Sequence, residues 1–417
     1  MSGRFDLAPQ IARALTGRDA DERVRVLRAL LRRPVLHADD DPELFRIARR
    51  HADALRDWLV RETGWRLTVE PRTIRLATSS TPHGPTAVAV AERHGARARR
   101  GDPPFTRRRY ILLCLALAVL QRSEQQISLD RLAQEMVREA RHPGLEDVEF
   151  ALEGREQRSD LVAAIRVLLD YGVLAKVAGD EDSFVSADGD ALYDVDRRVV
   201  ATLLVAEHSP ALVEARLGPR PGVGQIEAAL HEGPPVYTDE EQNRRLRQSV
   251  SRRLLADPVV YYDELPEDER AYLVSGQRVA LTRRLCEATG LVAELRAEGI
   301  ALVDPDDQLT DVRMPEQGTD GHATLLVAEH LAGQGDTEVQ ALRTLVRRLA
   351  REHAAYWRKS TREPGAENTI VADALDRLAG LGLVRIVGDG PTAVVTPLPA
   401  LRRFAVAAPA LRDRTTR

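Results

Sequence analysis

Histidines and acids near residue 325 are the residues whose types could bind a metal ion. His322, Glu329 and His330 fall within one predicted helix. A zinc hydrolase of this kind needs two histidines four residues apart with a glutamate beside the first, and neither that spacing nor its inverse is present. We therefore interpret the histidines as lying on or under a helix that Asp320 caps. No nucleophile–base pair stands out either, and the sequence predicts a chain that is not an enzyme and takes no cofactor and no metal ion.

Arginines form the other chemically informative pattern, because a guanidinium group can bind phosphate in a bidentate way. Between residues 93 and 109 seven arginines stand against one acid, Asp102. Glycines and prolines in the same stretch predict a mobile loop that reaches beyond the body of the protein. We predict binding of phosphate or of an acidic partner at this cluster, with solubility as the alternative. Its members are Arg93, Arg97, Arg99, Arg100, Arg107, Arg108 and Arg109.

A second basic cluster lies between residues 343 and 362, and the acidic residue within this stretch is Glu352. Arg343, Arg347 and Arg351 recur every four residues and so share one face of a helix. Tyr356 and Trp357 adjoin its basic end. This pattern predicts contact with the DNA backbone, with a solvated helix face as the alternative. The predicted DNA-binding residues of this cluster are Arg343, Arg347, Arg348, Arg351, Arg358 and Lys359, and Arg362 completes the run.

Length and composition place these clusters in a multidomain protein. A chain of 417 residues exceeds the usual size of one domain, and 43% hydrophobic residues suffice for cores. The longest apolar run spans residues 110–120, which is well short of the ~20 residues of a membrane span. Two cysteines, Cys114 and Cys286, allow no disulfide framework or zinc cluster. We predict a cytoplasmic location, no contact with a membrane, and core positions for Cys114 and for the whole helix 110–120.

Internal similarity predicts a duplication. Four stretches recur in the same order: 30–35 with 254–259, 64–71 with 299–305, 110–120 with 323–332, and 168–177 with 378–387. A segment rich in proline and glycine, 208–235, separates the copies and is predicted to be a connector rather than a structural element, with residues 225–230 able to form a helical turn or two. The predicted organisation is a first half at 1–205, a connector at 206–243 and a second half at 244–417.

Each half is predicted to contain winged-helix units. Residues 107–195 give a buried helix at 110–120, a helix that Ser128 caps, a third helix at 160–171 that Gly172 ends, and strands at 173–177 and 183–186. Three helices followed by a hairpin are typical of a winged helix. Residues 321–395 repeat this order, with a second helix at 341–357 and a hairpin at 383–395. Smaller helix-plus-hairpin units are predicted at 42–62 with 66–77 and at 277–297 with 300–312. The fold class is therefore mainly α with short antiparallel hairpins, in duplicated tandem winged-helix units.

Several phrases of the sequence resemble one protein family. They are Thr63-Gly64-Trp65-Arg66-Leu67, Arg107-Arg108-Arg109-Tyr110-Ile111-Leu112-Leu113, Leu168-Leu169-Asp170-Tyr171-Gly172-Val173-Leu174, Asp257-Pro258-Val259-Val260-Tyr261-Tyr262-Asp263 and Thr319-Asp320-Gly321-His322-Ala323-Thr324-Leu325-Leu326. They resemble an actinobacterial family, described as a domain of unknown function, that supplies the second subunit of type II Wadjet plasmid-defence systems. That family is similar to MukE, a kite protein, which is a tandem winged-helix partner of a kleisin.

The resemblance implies a non-catalytic subunit that dimerises, binds a kleisin-like subunit and helps a MukB-like SMC ATPase to hold double-stranded DNA by its backbone. Apolar surface at Val259, Val260, Tyr261 and Tyr262 and the edges of the hairpins are expected to be covered by these partners. One alternative is a free-standing winged-helix transcription regulator, which would place a basic third helix in the major groove. The predicted third helices, however, carry only Arg166 and Arg377. A hydrolase or nuclease is disfavoured by the missing acid or metal clusters.

Overall fold

The computed structural model describes residues 7–78, 95–99, 102–141, 151–152, 154–186, 189–203, 208–218, 221–222, 225–226, 229–230, 237–314 and 317–404. This part of the chain forms two compact units, which divide between residues 248 and 249. The first unit holds the described residues up to 248, and the second holds residues 249–404. Among the described helices, none combines the length and the apolar character that crossing a membrane requires.

The first unit begins with a three-stranded antiparallel sheet and the helices around it. The elements are α1 (Leu7–Arg32), β1 (Val35–His37), α2 (Pro42–Arg50), α3 (Ala52–Glu62), β2 (Arg66–Val69) and β3 (Thr73–Ala77). Asp41 fixes the start of α2 because its carboxylate accepts a hydrogen bond from the Leu44 N–H, and Pro42 occupies the first turn. The predicted hairpin at 66–77 is present, and β3 also pairs with β1, so the strand order is β1-β3-β2.

A second sheet of the first unit has the same strand order, β4-β6-β5. Its elements are α4 (Arg107–Arg122), β4 (Gln126–Ser128), α5 (Leu129–Glu139), α6 (Arg155–Asp170), β5 (Leu174–Gly179), α7 (Glu181–Val185) and β6 (Ala191–Val195). Ser128 caps α5 as predicted, and Gly172 follows α6 with φ of 70°. The predicted strand at 183–186 is wrong. Asp180 caps the short helix α7 there, and the second strand of the hairpin comes later, at β6.

Helix α4 is not buried on all sides, contrary to the prediction. Leu112, Ala116 and Leu120 are buried in the core of the first unit. Tyr110 is 40% exposed, and Cys114 is exposed as well, so Cys114 is not a core residue. When apolar residues occur on every side of a helix, the sequence alone does not show which side the neighbouring elements cover.

The end of the first unit contains α8 (Arg197–Leu203) and α9 (Pro210–Leu217). Ser209 caps α9 by accepting a hydrogen bond from the Leu212 N–H. The stretch 208–235, predicted to be a connector with a helical turn or two at 225–230, therefore includes a short helix earlier, at α9. The proline at the first position of α9 is compatible with this helix, because a backbone N–H at that position would have no partner within the helix.

The second unit contains a third sheet with the order β7-β9-β8. Its elements are the part of α10 (Asp239–Ala256) from residue 249 onward, β7 (Val260–Tyr261), α11 (Glu267–Tyr272), α12 (Arg278–Thr289), β8 (Val292–Leu295) and β9 (Gly299–Val303). The predicted helix at 277–297 is present from Arg278 but ends at Thr289, and the predicted hairpin at 300–312 is placed too late in the chain. Gly290 adopts the left-handed conformation and ends α12, so the hairpin spans β8 and β9.

The residues 259–262 do not form an exposed apolar surface, and that prediction is wrong. Val260, Tyr261 and Tyr262 are buried, with exposed fractions of 2%, 3% and 9%. The Tyr261 hydroxyl donates a hydrogen bond of 2.8 Å to the carbonyl of Gly382. This apolar stretch therefore contributes to the core of the second unit rather than to a surface for a partner.

A fourth sheet, with the order β10-β12-β11, completes the second unit. Its elements are α13 (Thr319–Gln334), β10 (Thr337–Glu338), α14 (Val339–Glu352), α15 (Ala366–Gly380), β11 (Val384–Val387) and β12 (Val394–Pro397). The predicted stripe of Val371, Leu375 and Leu378 on α15 is buried, and Gly382 follows α15 with φ of 64°. Helix α14 ends at Glu352, before the predicted end at residue 357, and residues 353–357 follow it as a turn and a bend.

The described part of the chain is thus mainly helical, with short antiparallel three-stranded sheets. In each sheet the first strand lies beside the third, and the second strand lies at an edge. A helix precedes the first strand each time, and one or more helices lie between the first and second strands.

Candidate nucleic-acid interface

The predicted arginine loop at 93–109 is folded onto α6 where the structure describes it. Arg93 and Arg100 lie outside the described residues. Phe105 is 7% exposed and packs with Ala163 and Val167 of α6. The Phe105 N–H donates a 2.7 Å hydrogen bond to the Ala96 carbonyl. The prediction of a mobile loop reaching beyond the body is therefore wrong for this part, because apolar residues among the arginines attach it to α6.

Two arginines of this cluster share one carboxylate. Arg109 donates a hydrogen bond of 2.8 Å from Nε to Asp160, and Arg108 approaches the same carboxylate at 3.5 Å. Asp160 is buried on α6, while both arginines lie in the first turn of α4. Positive charges at a helix N-terminus are unfavourable for the helix dipole, so a carboxylate opposite this turn is a stabilising partner. These two guanidinium groups are held in place rather than free in solvent.

A second carboxylate, Asp182 of α7, is shared in the same way. Arg166 lies 2.5 Å from Asp182 and Arg99 lies 3.4 Å from it. The hydrogen bond from Arg166 is the largest of the effects that lower the pKa of Asp182 below its ordinary value. Arg97 bonds to the Asp102 carbonyl. Of the described members of the cluster, Arg107 is exposed and makes no ion pair within the described chain.

Both carboxylates and three of these arginines, Arg108, Arg109 and Arg166, line one cavity of about 710 Å³. Arg155 and Glu156, in the first turn of α6, also face it. The first predicted cluster is therefore a cleft whose charges are largely matched. The acids that match them were absent from the predicted site because they lie 51 and 83 residues away from Arg109 and Arg99 along the chain.

The second predicted cluster follows the outer side of α14. Arg347 pairs with Glu367 at 3.4 Å, and Arg348 pairs with Glu352 at 3.4 Å. Arg343 is half-buried, and its Nε atom is buried without a hydrogen bond within the described chain. The shared helix face of Arg343, Arg347 and Arg351 follows from their spacing and is present, but the three side chains have different environments.

The turn after α14 presents the remaining cations of this cluster. Arg358 pairs with Asp320 at 2.8 Å. The prediction that Asp320 caps α13 is wrong. The helix begins at Thr319, and the residue at its N-cap is Gly318. Lys359 and Arg362 lie in a short 3₁₀ turn, Lys359–Arg362, and are exposed.

Three exposed cations of this region make no ion pair with any described residue: Arg351, Lys359 and Arg362. The 3₁₀ turn that holds Lys359 and Arg362 packs against both α14 and α15. Their attachment is firm because Thr361, between them, is buried and donates its hydroxyl to the Arg358 carbonyl at 2.8 Å. Arg362 belongs with the predicted site although it was not among the predicted DNA-binding residues.

The predicted histidine helix is used for packing in this region. Trp357 is buried, and its indole N–H donates a 3.1 Å hydrogen bond to Nδ1 of His322. The ring of His353 lies 4.8 Å from that of His322. Burial, and then the nearby His353, lower the pKa of His322. Accepting a hydrogen bond at Nδ1 requires that this nitrogen be unprotonated, which agrees with the direction of the shift.

One group of metal-ligand type occurs among the described residues, at Asp19, Glu22 and His51. Nε2 of His51 lies 2.8 Å from Glu22, and Arg50 also contacts that carboxylate. The hydrogen bonds from His51 and Arg50 lower the pKa of Glu22 to about 2. An arginine on the same carboxylate competes with a cation, so the group is explained by ion pairing.

Comparison with known proteins adds a family but no function. No curated protein and no solved structure is significantly similar to the chain. One family model, described as "Protein of unknown function (DUF2398)", matches residues 27–407. Since this match covers most of the chain, the protein belongs to the DUF2398 family.

Proposed function

We propose that the chain is a non-catalytic DNA-holding subunit built from duplicated winged-helix units. The recurring strand order supports the fold part of this proposal. A winged helix has a helix, a first strand, two further helices and a hairpin whose last strand pairs with the first. All four sheets in the described part of the chain have this order, two in each compact unit.

The observation that carries the DNA part is the group of unpaired cations in the second unit, Arg351 at the end of α14 and Lys359 and Arg362 in the 3₁₀ turn that follows it. In a winged helix this turn joins the second and third helices. Helix α15, the third helix, exposes the acids Asp373 and Asp376. Cations beside an acidic third helix suit contact with the phosphate backbone rather than reading of base edges.

The buried state of α6 argues against the alternative of a free-standing transcription regulator. This helix would have to enter the major groove to read bases. Its residues Leu161 to Ile165 are all buried, by the core on one side and by the Phe105 segment on the other. The middle of α6 therefore has no free side for a groove.

The proposed assembly is the one that the sequence resemblance implies, a MukE-like kite subunit of an SMC–kleisin complex in plasmid defence. Exposed apolar residues on the edge strands favour a partner that adds a strand. Val177 on β5, Val292 on β8 and Val387 on β11 are 47%, 54% and 60% exposed. Such edges present unpaired backbone groups to an extended segment, and a kleisin-like chain or a second copy could supply it.

The salt dependence of DNA binding tests the proposed function. Binding of the full chain to a 30-base-pair duplex would be measured by fluorescence anisotropy at several salt concentrations. Each phosphate neutralised on duplex DNA contributes ~0.9 to the slope of log K against log salt. Replacing Arg351, Lys359 and Arg362 with alanine should lower that slope by about 2.7 if all three contact phosphate.

A matched control is available on α5, where Arg131 and Arg138 are exposed arginines paired with Glu135. Their double alanine variant should leave the slope unchanged. Equal slopes for the triple variant and the wild type would contradict the proposal, as would a strong preference for one operator-like sequence.

A further inference from the structure

The most exposed aromatic side chain among the described residues lies along the chain between two of the unpaired cations, Arg351 and Lys359. Tyr356 is 86% exposed, between the end of α14 and the Lys359–Arg362 turn. Arg351 lies five residues before it, and Lys359 three residues after it. Single exposed aromatic residues are common on protein surfaces, so exposure alone is not informative. The surroundings of Tyr356 provide the information.

The backbone beneath Tyr356 is fixed. The N–H groups of Tyr356 and Trp357 both donate 2.9 Å hydrogen bonds to the His353 carbonyl. Trp357 is buried in the core of the second unit and bonds to His322. The Arg358 N–H donates a 3.0 Å hydrogen bond to the hydroxyl of Thr319. The tyrosine ring is therefore held out into solvent by an ordered turn, and binding a ligand would cost little ordering of the backbone.

We propose that Tyr356 stacks on a nucleobase, so that this surface takes DNA in which a base is unpaired or unstacked. Arg351, Lys359 and Arg362 would hold the backbone on either side of that base. The proposal rests on the proposed DNA-binding function and specifies the form of DNA. An exposed ring flanked by cations is the arrangement that binds single strands without reading sequence, because every base offers a face for stacking. A closed duplex keeps its bases stacked on each other and offers none.

The experiment compares three DNA probes with the full chain: a 30-nucleotide single strand, the same sequence as a closed duplex, and the duplex with a four-nucleotide bubble. Tyr356→Ala should weaken binding to the single strand and to the bubble by roughly 5- to 150-fold, from ~1–3 kcal/mol for stacking of one base. Binding to the closed duplex should change less than twofold. The salt slope should stay the same, because the substitution removes no charge.

Two further variants make the result specific to stacking. Tyr356→Phe keeps the ring and should bind like the wild type. Tyr237→Ala is the matched control, because Tyr237 is also highly exposed, at 82%, but its N–H bonds to Glu241 in an acidic stretch. Equal affinities of Tyr356→Ala and Tyr237→Ala for the single strand would overturn the proposal. Equal losses by Tyr356→Ala on all three probes would also overturn it.

Failure of the stacking proposal can be told apart from failure of the proposed function. If the alanine variant of Arg351, Lys359 and Arg362 lowers the affinity for every probe while Tyr356→Ala changes none, the surface binds DNA and the stacking proposal is refuted. If the triple variant also changes nothing, both the DNA-binding function and the stacking proposal are refuted.

Discussion

Two adjacent buried tyrosines give a test of the packing in the second unit. The Tyr261 hydroxyl donates a hydrogen bond of 2.8 Å to the Gly382 carbonyl. The Tyr262 hydroxyl is buried as well, but within the described chain it has no hydrogen-bond partner. Both side chains are buried, and replacing either tyrosine with phenylalanine removes the hydroxyl and keeps the ring. The two substitutions therefore differ mainly in the hydrogen bonds that each removes.

Tyr261→Phe should destabilise the second unit by roughly 2 kcal/mol, because an unsatisfied buried polar group costs ~1–3 kcal/mol. Tyr262→Phe should be neutral or stabilising by up to about 1 kcal/mol, because it removes a buried hydroxyl that has no partner. Urea denaturation of a chain with two compact units does not follow a two-state model, so the free energies are better taken from amide hydrogen exchange. The amides of β7, β9 and β11 would report on this unit.

The expected result is faster exchange of these amides by roughly 30-fold in Tyr261→Phe and unchanged or slower exchange in Tyr262→Phe, since each 1.4 kcal/mol is tenfold in an equilibrium constant. Equal effects of the two substitutions would refute the reasoning. In that case the hydrogen bond of Tyr261 would add nothing that its ring does not already provide.

Three more predictions concern pH, chemistry and assembly. Burial is the main cause that raises the pKa of Asp257 to about 6 in the folded chain. Folding therefore favours the protonated carboxyl, and this contribution to stability is present below about pH 4 and is lost as the pH rises through about 6. Asp257→Asn should thus stabilise the second unit at pH 8 by up to ~3 kcal/mol but not at pH 4, whereas Asp263→Asn, at an exposed position, should show no such difference. The purified chain should neither hydrolyse nucleotides nor cut DNA, and metal-dependent nicking lost in His322→Ala or His330→Ala would contradict this. Light scattering should give a homodimer, and pull-downs should capture a kleisin-like protein encoded nearby; a monomer that captures none would count against the proposed assembly.

Local sequence signals predicted much of the secondary structure. Ser128 caps α5 and Gly172 ends α6 because these features depend only on the residue and its immediate neighbours. The hairpins at 66–77 and 383–395 follow from short apolar runs bounded by turn residues. The predicted element boundaries were wrong where a single residue ended or started a helix. Gly290 ends α12 early, and Asp180 starts a short helix in place of a strand.

The sequence by itself also determined where the arginines lie along the chain, but only the tertiary structure decided which of them are available to a ligand. Arg108 and Arg109 meet Asp160, and Arg99 meets Asp182, because α4, α6 and α7 pack together. Arg351, Lys359 and Arg362 meet no such acid within the described chain. Charge matching depends on distances of a few ångströms between residues far apart in sequence, and periodicity and composition carry no information about those distances.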